Sequence, residues 1–259
     1  MMLDEFLVSN LFAFMLVFGR LGAMFMFLPG FSATYVNPNA RLAIALLLTL
    51  VITPVVAPSL PDMPDGVAPM LVLLMHEILV GLFMGLFAQF LMSALTVAGT
   101  SIGRDAGLMN AMVFDPVTES QGAMVISFLT LIALVLLFAL EIHHLIIQAL
   151  VASYDMFRPG GDSFILSDVV NVLTHGLDDA FRIGLQIASP FLVINLVFQV
   201  GMGLLSRLSP QMNVFFIALP IQILFGLGLL AVSIPTMMFV FLRFFETNLT
   251  GFLPVSGGG

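Results

Sequence analysis

Six stretches of this 259-residue chain, roughly 6–28, 40–57, 67–98, 122–153, 183–206 and 213–243, run almost without charge. An apolar run of about 18 residues or more reads as a membrane-spanning helix. A soluble core does not absorb six of them. Hydrophobic residues make up 60% of the chain and charged residues 8%, against about 25% charged in a soluble domain. In lipid every backbone polar group has to be satisfied internally, and runs of this length do so as helices. The expected fold class is an all-α membrane protein of long kinked helices and helical hairpins.

The breakers between the runs are compact. Pro29-Gly30 and Asn37-Pro38 close the first; Pro58, Pro61, Pro64 and Pro69 separate the second from the third; Pro159-Gly160-Gly161 ends the fourth; Ser209-Pro210 splits the last pair. Proline lacks a backbone donor and disfavours helix in the residue before it. Pro190, Pro220 and Pro235 therefore predict broken helices inside the last segments.

Residues 67–98 and 122–153 would each form a helix of about 48 Å, well beyond the ~30 Å hydrocarbon layer. Tilt absorbs part of the excess; the rest calls for surrounding protein. Residues 163–182 place Asp168, Asn171, Thr174, His175, Asp178, Asp179 and Arg182 on one face at helical spacing, which reads as an amphipathic surface helix. The acidic start, MMLDEFLVSN, lacks the basic stretch of a secretory signal, so the first apolar segment is expected to stay in the mature protein. Arg41, Arg104 and Arg207 near inner loops favour an outside N-terminus.

Several function classes are excluded. The net charge is −8 and all seven basic residues are arginines, so no basic patch serves nucleic acid. With no cysteine there is neither a disulfide nor a thiolate metal site. Without lysine there is no phosphate-cradling GxxxxGK[ST] loop. His76-Glu77 lacks the second histidine of a zincin helix, since Val80 stands there. Glu141 and His144 have the Glu-x-x-His spacing of di-iron bundles in one copy only. The expectation is no enzyme, no metal and no cofactor.

The remaining polar residues in apolar segments need partners. An Arg at a helix centre costs about 2.5–3.5 kcal/mol on insertion scales. Arg20 should meet a carboxylate, carbonyls or water, with Asp4, Glu5 or a partner subunit as candidates. Glu77 and Glu141 are read as structural contacts. A secondary transporter or ion channel using intramembrane Glu and His residues is the rival reading.

Glycine spacing marks close helix approach. Gly81 and Gly85 form one GxxxG pair, and Gly99, Gly103 and Gly107 form a series. That series leads into 106–116, where Gly107, Leu108, Met109, Met112, Val113, Phe114, Asp115 and Pro116 make a soft apolar stretch ended by Asp-Pro. Glycine permits unusual backbone, and methionine adapts to irregular gaps. A deformable apolar constriction blocks ions by dewetting, so this stretch is a candidate pore plug, its alternative an ordinary surface loop.

Five pieces then resemble one family in order: FGRLGAMFMFLPGFSATYVNPNARLAIALLLTL, HEILVGLFMG, DAGLMNAMVFDP, EIHHLI, and ASPFLVINLVFQVGMGLLSRLSPQMNVFFIALPIQILFGL with Asn195, Arg207, Pro210, Gln211, Asn213 and Pro220. They resemble the FliR family of flagellar biosynthetic proteins, similar to the SctT component of injectisomes. Arg104-Asp105 departs from the neutral polar residues expected just before the plug. The resemblance implies an export-gate subunit of flagellar type III secretion in the bacterial inner membrane, at the flagellar basal body, with part of the assembly above the bilayer on the periplasmic side. One chain would assemble with several copies of FliP and FliQ homologues, and would also meet FlhB. Residues 1–183 would be FliP-like and carry the plug loop; 184–259 would be a FliQ-like hairpin and tail. Unfolded flagellar subunits would pass when the plug moves. Arg20, Glu77, Glu141, Asn195, Arg207, Gln211 and Asn213 would serve inter-helix or partner contacts.

Overall fold

The computed structural model describes residues 2–32, 36–108, 121–161, 166–208, 211 and 214–253. They form seven α-helices: α1 (Met2–Phe27), α2 (Pro38–Val56), α3 (Val67–Asp105), α4 (Gln121–Ala139), α5 (Ile142–Met156), α6 (Leu166–Leu208) and α7 (Val214–Thr250), with a short 3-10 turn at Ala57–Ser59. No strand occurs among the described residues. Five helices are long and apolar enough to cross a membrane, or six spans if α4 and α5 count as one broken span. The chain is an all-α membrane protein.

Local signals set the ends. Asn37 caps α2: its side chain accepts from the Asn39 amide at 2.9 Å, and Pro38 takes the first helical position, where a missing N–H costs nothing. Gly107, at φ +75°, lets the chain leave α3 in the left-handed conformation.

Three expectations need correction. The stretch 122–153 is not one helix. It breaks at Leu140–Glu141, where Glu141 adopts φ 60°. This exposed glutamate takes a left-handed conformation that costs an L-residue about 1–2 kcal/mol. The amphipathic stretch 163–182 and the apolar 183–206 are not separate either; α6 runs through both, because no proline stands at the junction and a lone glycine, Gly184, is tolerated inside a helix. Finally, Pro190, Pro220 and Pro235 lie within continuous helices. At Pro190 the reason is visible. The Gln186 carbonyl, four residues back, accepts from the Ser189 hydroxyl at 2.8 Å in place of the missing amide.

The chain divides into two compact units. The first holds residues 1–91, 141–177 and 246–259. In it α1 and α3 run side by side. A Cβ on Gly81 would overlap the Arg20 carbonyl oxygen, and one on Gly85 would lie 2.7 Å from that of Met24. Both glycines therefore permit backbone contact. Phe83 meets Phe157 edge-on at 5.7 Å, and Phe87 meets Phe252 at 4.9 Å, within the range of favourable aromatic pairs.

The second unit holds residues 92–140 and 178–245. Glycines again set its contacts. A Cβ on Gly99 would sit 2.8 Å from the Ile126 Cα, one on Gly184 2.7 Å from the Ala94 carbonyl oxygen, and one on Gly226 2.5 Å from the Ala106 Cβ.

Candidate functional site

Two polar constellations stand out, one in each unit. In the first, α1 contributes Arg20, α3 contributes Glu77, and α5 contributes Ser153 and Tyr154. Arg20 and Glu77 are both fully buried. Arg20 Nε donates to Glu77 Oε2 at 2.8 Å, and Nη2 donates to Oε1 at 2.8 Å. This is the two-pronged guanidinium–carboxylate geometry. Nη1 donates to Ser153 Oγ at 2.9 Å, and Nη2 also donates to the Phe157 carbonyl oxygen at 2.9 Å. Four of the five guanidinium donors are thus engaged. The Tyr154 ring lies 3.7 Å from the guanidinium carbon, giving the cation an aromatic face. Ser153 passes its own hydrogen to the Leu150 carbonyl at 2.6 Å. His76 Nδ1 lies 3.4 Å from Glu77 Oε1.

The spacing on α3 explains this placement. Glu77, Gly81 and Gly85 lie four residues apart, on one face. The two glycines draw α3 onto the α1 backbone at Arg20 and Met24, so the side chain one turn earlier arrives beside Arg20. Neither charge is left exposed. This arrangement fastens three helices and leaves both Glu77 oxygens engaged.

The second constellation surrounds the end of α3. Asn195 Nδ2 of α6 donates to Asp105 Oδ1 at 2.9 Å. Gln222 Nε2 of α7 donates to the Asp105 carbonyl oxygen at 3.0 Å, and lies 3.4 Å from Asn195 Oδ1. The last carbonyls of a helix have no partner within it, and Gln222 supplies one from another helix. Gly107 is held close: a Cβ there would meet the Gln222 side chain at 3.0 Å. Arg104, mostly exposed, reaches Asp105 Oδ1 at 3.4 Å.

The residues singled out from the sequence are distributed as follows. Arg20 and Glu77 come together, and Arg20 takes Glu77 rather than Asp4 or Glu5, whose side chains lie outside the described residues. Gly81 and Gly85 pack on α1, Gly99 packs on α4, and Gly103 is buried. Gly107 is buried and Leu108 half-buried, while Met109, Met112, Val113, Phe114, Asp115 and Pro116 lie outside the described residues. Asn195 belongs to the Asp105 network. Glu141 stands apart, its side chain 78% exposed and 3.8 Å from His144 Nδ1. Arg207 and Gln211 are exposed, and Asn213 lies outside the described residues. Sequence reading missed Ser153, Tyr154, Asp105 and Gln222 as partners. The available signal was a polar side chain isolated in an apolar helix. Among the described residues no three metal-ligating side chains converge.

The comparisons agree with one another. Residues 11–248 match the family described as bacterial export proteins, family 1. The chain is 34% identical over 219 residues to the flagellar biosynthetic protein FliR of Caulobacter vibrioides, covering 85% of this chain and 87% of that protein. It is 30% identical over 209 residues to FliR of Escherichia coli, covering 80% and 78%. It is 26% identical over 231 residues to the surface presentation of antigens protein SpaR of Shigella flexneri, covering 88% of each. A chain of membrane-spanning helices matched over nearly its full length in this way belongs to the FliR family of type III secretion export proteins and is a membrane component of the flagellar export apparatus.

Proposed function

We propose that this chain joins several copies of FliP and FliQ homologues in the bacterial inner membrane to form the channel through which unfolded flagellar proteins leave, and that residues 107–116 plug it. FlhB is a further expected neighbour. Part of the assembly would stand above the bilayer on the periplasmic side, with 1–183 in a FliP-like role and 184–259 in a FliQ-like role.

One observation carries the reading. Helix α6 has 43 residues, about 64 Å at ~1.5 Å per residue, and hydrocarbon covers only about 30 Å. Yet only 17% of its most apolar window is buried within the chain, and 22% of that in α7. Val193, Leu196, Val197 and Val200 are among the side chains left exposed. Exposed apolar side chains on the length beyond the hydrocarbon, such as Leu177 and Phe181, have no lipid to cover them and call for partner protein. The composition of 107–116 supports the plug, as does the anchoring of Gly107 beside Gln222. The transporter reading loses a proton carrier, because Glu77 is engaged with Arg20 through both oxygens.

Co-expression with the FliP and FliQ homologues and mass measurement of the purified complex test the assembly. The expected result is one copy of this chain with several of each partner. An ordered solitary chain that moves a solute by itself would overturn the reading. Deleting residues 109–115 tests the plug while sparing Gly107. Membranes should become leaky to small ions with the complex intact; a tight membrane around an intact complex removes the plug assignment.

A further inference from the structure

We propose that the slot walled by α1, α2 and α3 in the first unit binds one anionic phospholipid of the surrounding bilayer, with its phosphate on Arg41 and an acyl chain lying along α1. The slot has a volume of about 530 Å³ and is lined by Met15, Phe18, Gly22 and Met26 of α1, Leu42 of α2 and Ile78 of α3, among other apolar residues. That volume lies within the ~300–1,000 Å³ of small-molecule sites. Arg41 is the lining residue with a polar side chain.

The polarity is graded along the slot. Arg41 lies one turn into the candidate span that starts at Pro38, and Met26 lies at the end of the candidate span Val8–Phe27. The cation therefore lies toward one end of both candidate spans, the end at which headgroups would meet the slot. From Met26 to Met15 the slot follows eleven residues of α1, about 16 Å. That is about half the ~30 Å hydrocarbon thickness, the depth of one leaflet. The positive end of the α2 dipole lies at the same end and favours an anion near the first turn. The planar fork of a guanidinium suits phosphate, and basic pockets between membrane helices take anionic headgroups.

Gly22 makes the slot more than a gap in packing. A Cβ there would meet nothing closer than the Phe18 ring, at 3.8 Å. Packing within the chain does not require a glycine at this position. Neighbouring Gly19 differs, because a Cβ there would lie 2.9 Å from Leu74. Gly22 keeps open a space that a larger side chain would fill.

The test uses the full-length chain, purified from membranes with whatever chains accompany it and placed in nanodiscs of phosphatidylglycerol or phosphatidylcholine. Native mass spectrometry then reads the retained lipid. Wild-type should hold one phosphatidylglycerol, preferred at least tenfold over phosphatidylcholine. Arg41→Gln should lose that preference, and Gly22→Leu should lose both lipids with helicity and complex mass unchanged. Should Gly22→Leu fail to accumulate, Arg41→Gln alone decides. The proposal is overturned by equal retention of the two lipids in wild-type, or by full retention in Gly22→Leu. It is also overturned by a lipid-free complex in which a cysteine at position 22 crosslinks to a partner chain, since protein would then fill the slot.

Discussion

Arg20 and Glu77, 57 residues apart in the chain, meet through two 2.8 Å hydrogen bonds with both side chains fully buried. The pair is held in place by the contact of Gly81 with the Arg20 backbone one turn further along α3. Its role is architectural: it fixes α1 and α3, and through Ser153 and the Phe157 carbonyl it ties in α5 and its end.

Removing one member should therefore cost more than removing both. Arg20→Met or Glu77→Leu alone leaves an uncompensated buried charge, a loss of about 3–5 kcal/mol. The double variant should recover most of that, because buried ion pairs often exchange for apolar residues at little cost. Thermal unfolding in detergent and the level of chain in the membrane both check this. A double variant as unstable as the singles would contradict it.

Glycines divide by what surrounds them. Gly81→Ala should prevent close packing of α1 on α3 and sharply lower the amount of folded chain. Gly201 has open space around its would-be Cβ, so Gly201→Ala should stabilise α6 by up to about 1 kcal/mol. If Gly201→Ala instead leaves the chain folded but blocks complex formation, a partner backbone lies against α6 there. The thermal midpoint and complex mass separate these outcomes.

Gln222→Leu removes the donor to the Asp105 carbonyl and leaves that helix end unsatisfied, at about 1–3 kcal/mol. The expected readout is faster hydrogen exchange at the amides of residues 103–107, with the rest of α3 unchanged. Asn195→Leu should produce a smaller effect at the same place, since it strips a bond from the Asp105 side chain and leaves the carbonyl capped. Unchanged exchange in Gln222→Leu would show that the amide does not hold the helix end.

Glu141 should be dispensable as an acid. Glu141→Gln should leave flagellar export unchanged in a motility assay. Glu141→Gly should be neutral or stabilising by about 1 kcal/mol, because glycine adopts the left-handed backbone without strain. Loss of export in Glu141→Gln with normal chain levels would revive a proton-carrying role.

The helical membrane class, the ends of most apolar runs and the glycines that let helices touch were legible in the sequence alone. These are local properties: apolar runs, breakers and four-residue spacing are written in neighbouring positions. The family was legible too, from motifs in their order along the chain. Partner choice was not. Arg20 needed a carboxylate, but nothing near it in sequence favoured Glu77 over Asp4 or Glu5, and a lone Gln222 in an apolar helix announced no target. Those pairings span 57 and 117 residues, and only the packed helices bring them within bonding distance. Helix continuity was also decided in three dimensions. Pro190 reads as a break, yet Ser189 returns a hydrogen bond to the carbonyl it frees. Glu141 reads as mid-helix, yet the chain turns there. Away from water, a backbone group keeps its place only where some neighbour satisfies it, and the fold alone supplies that neighbour.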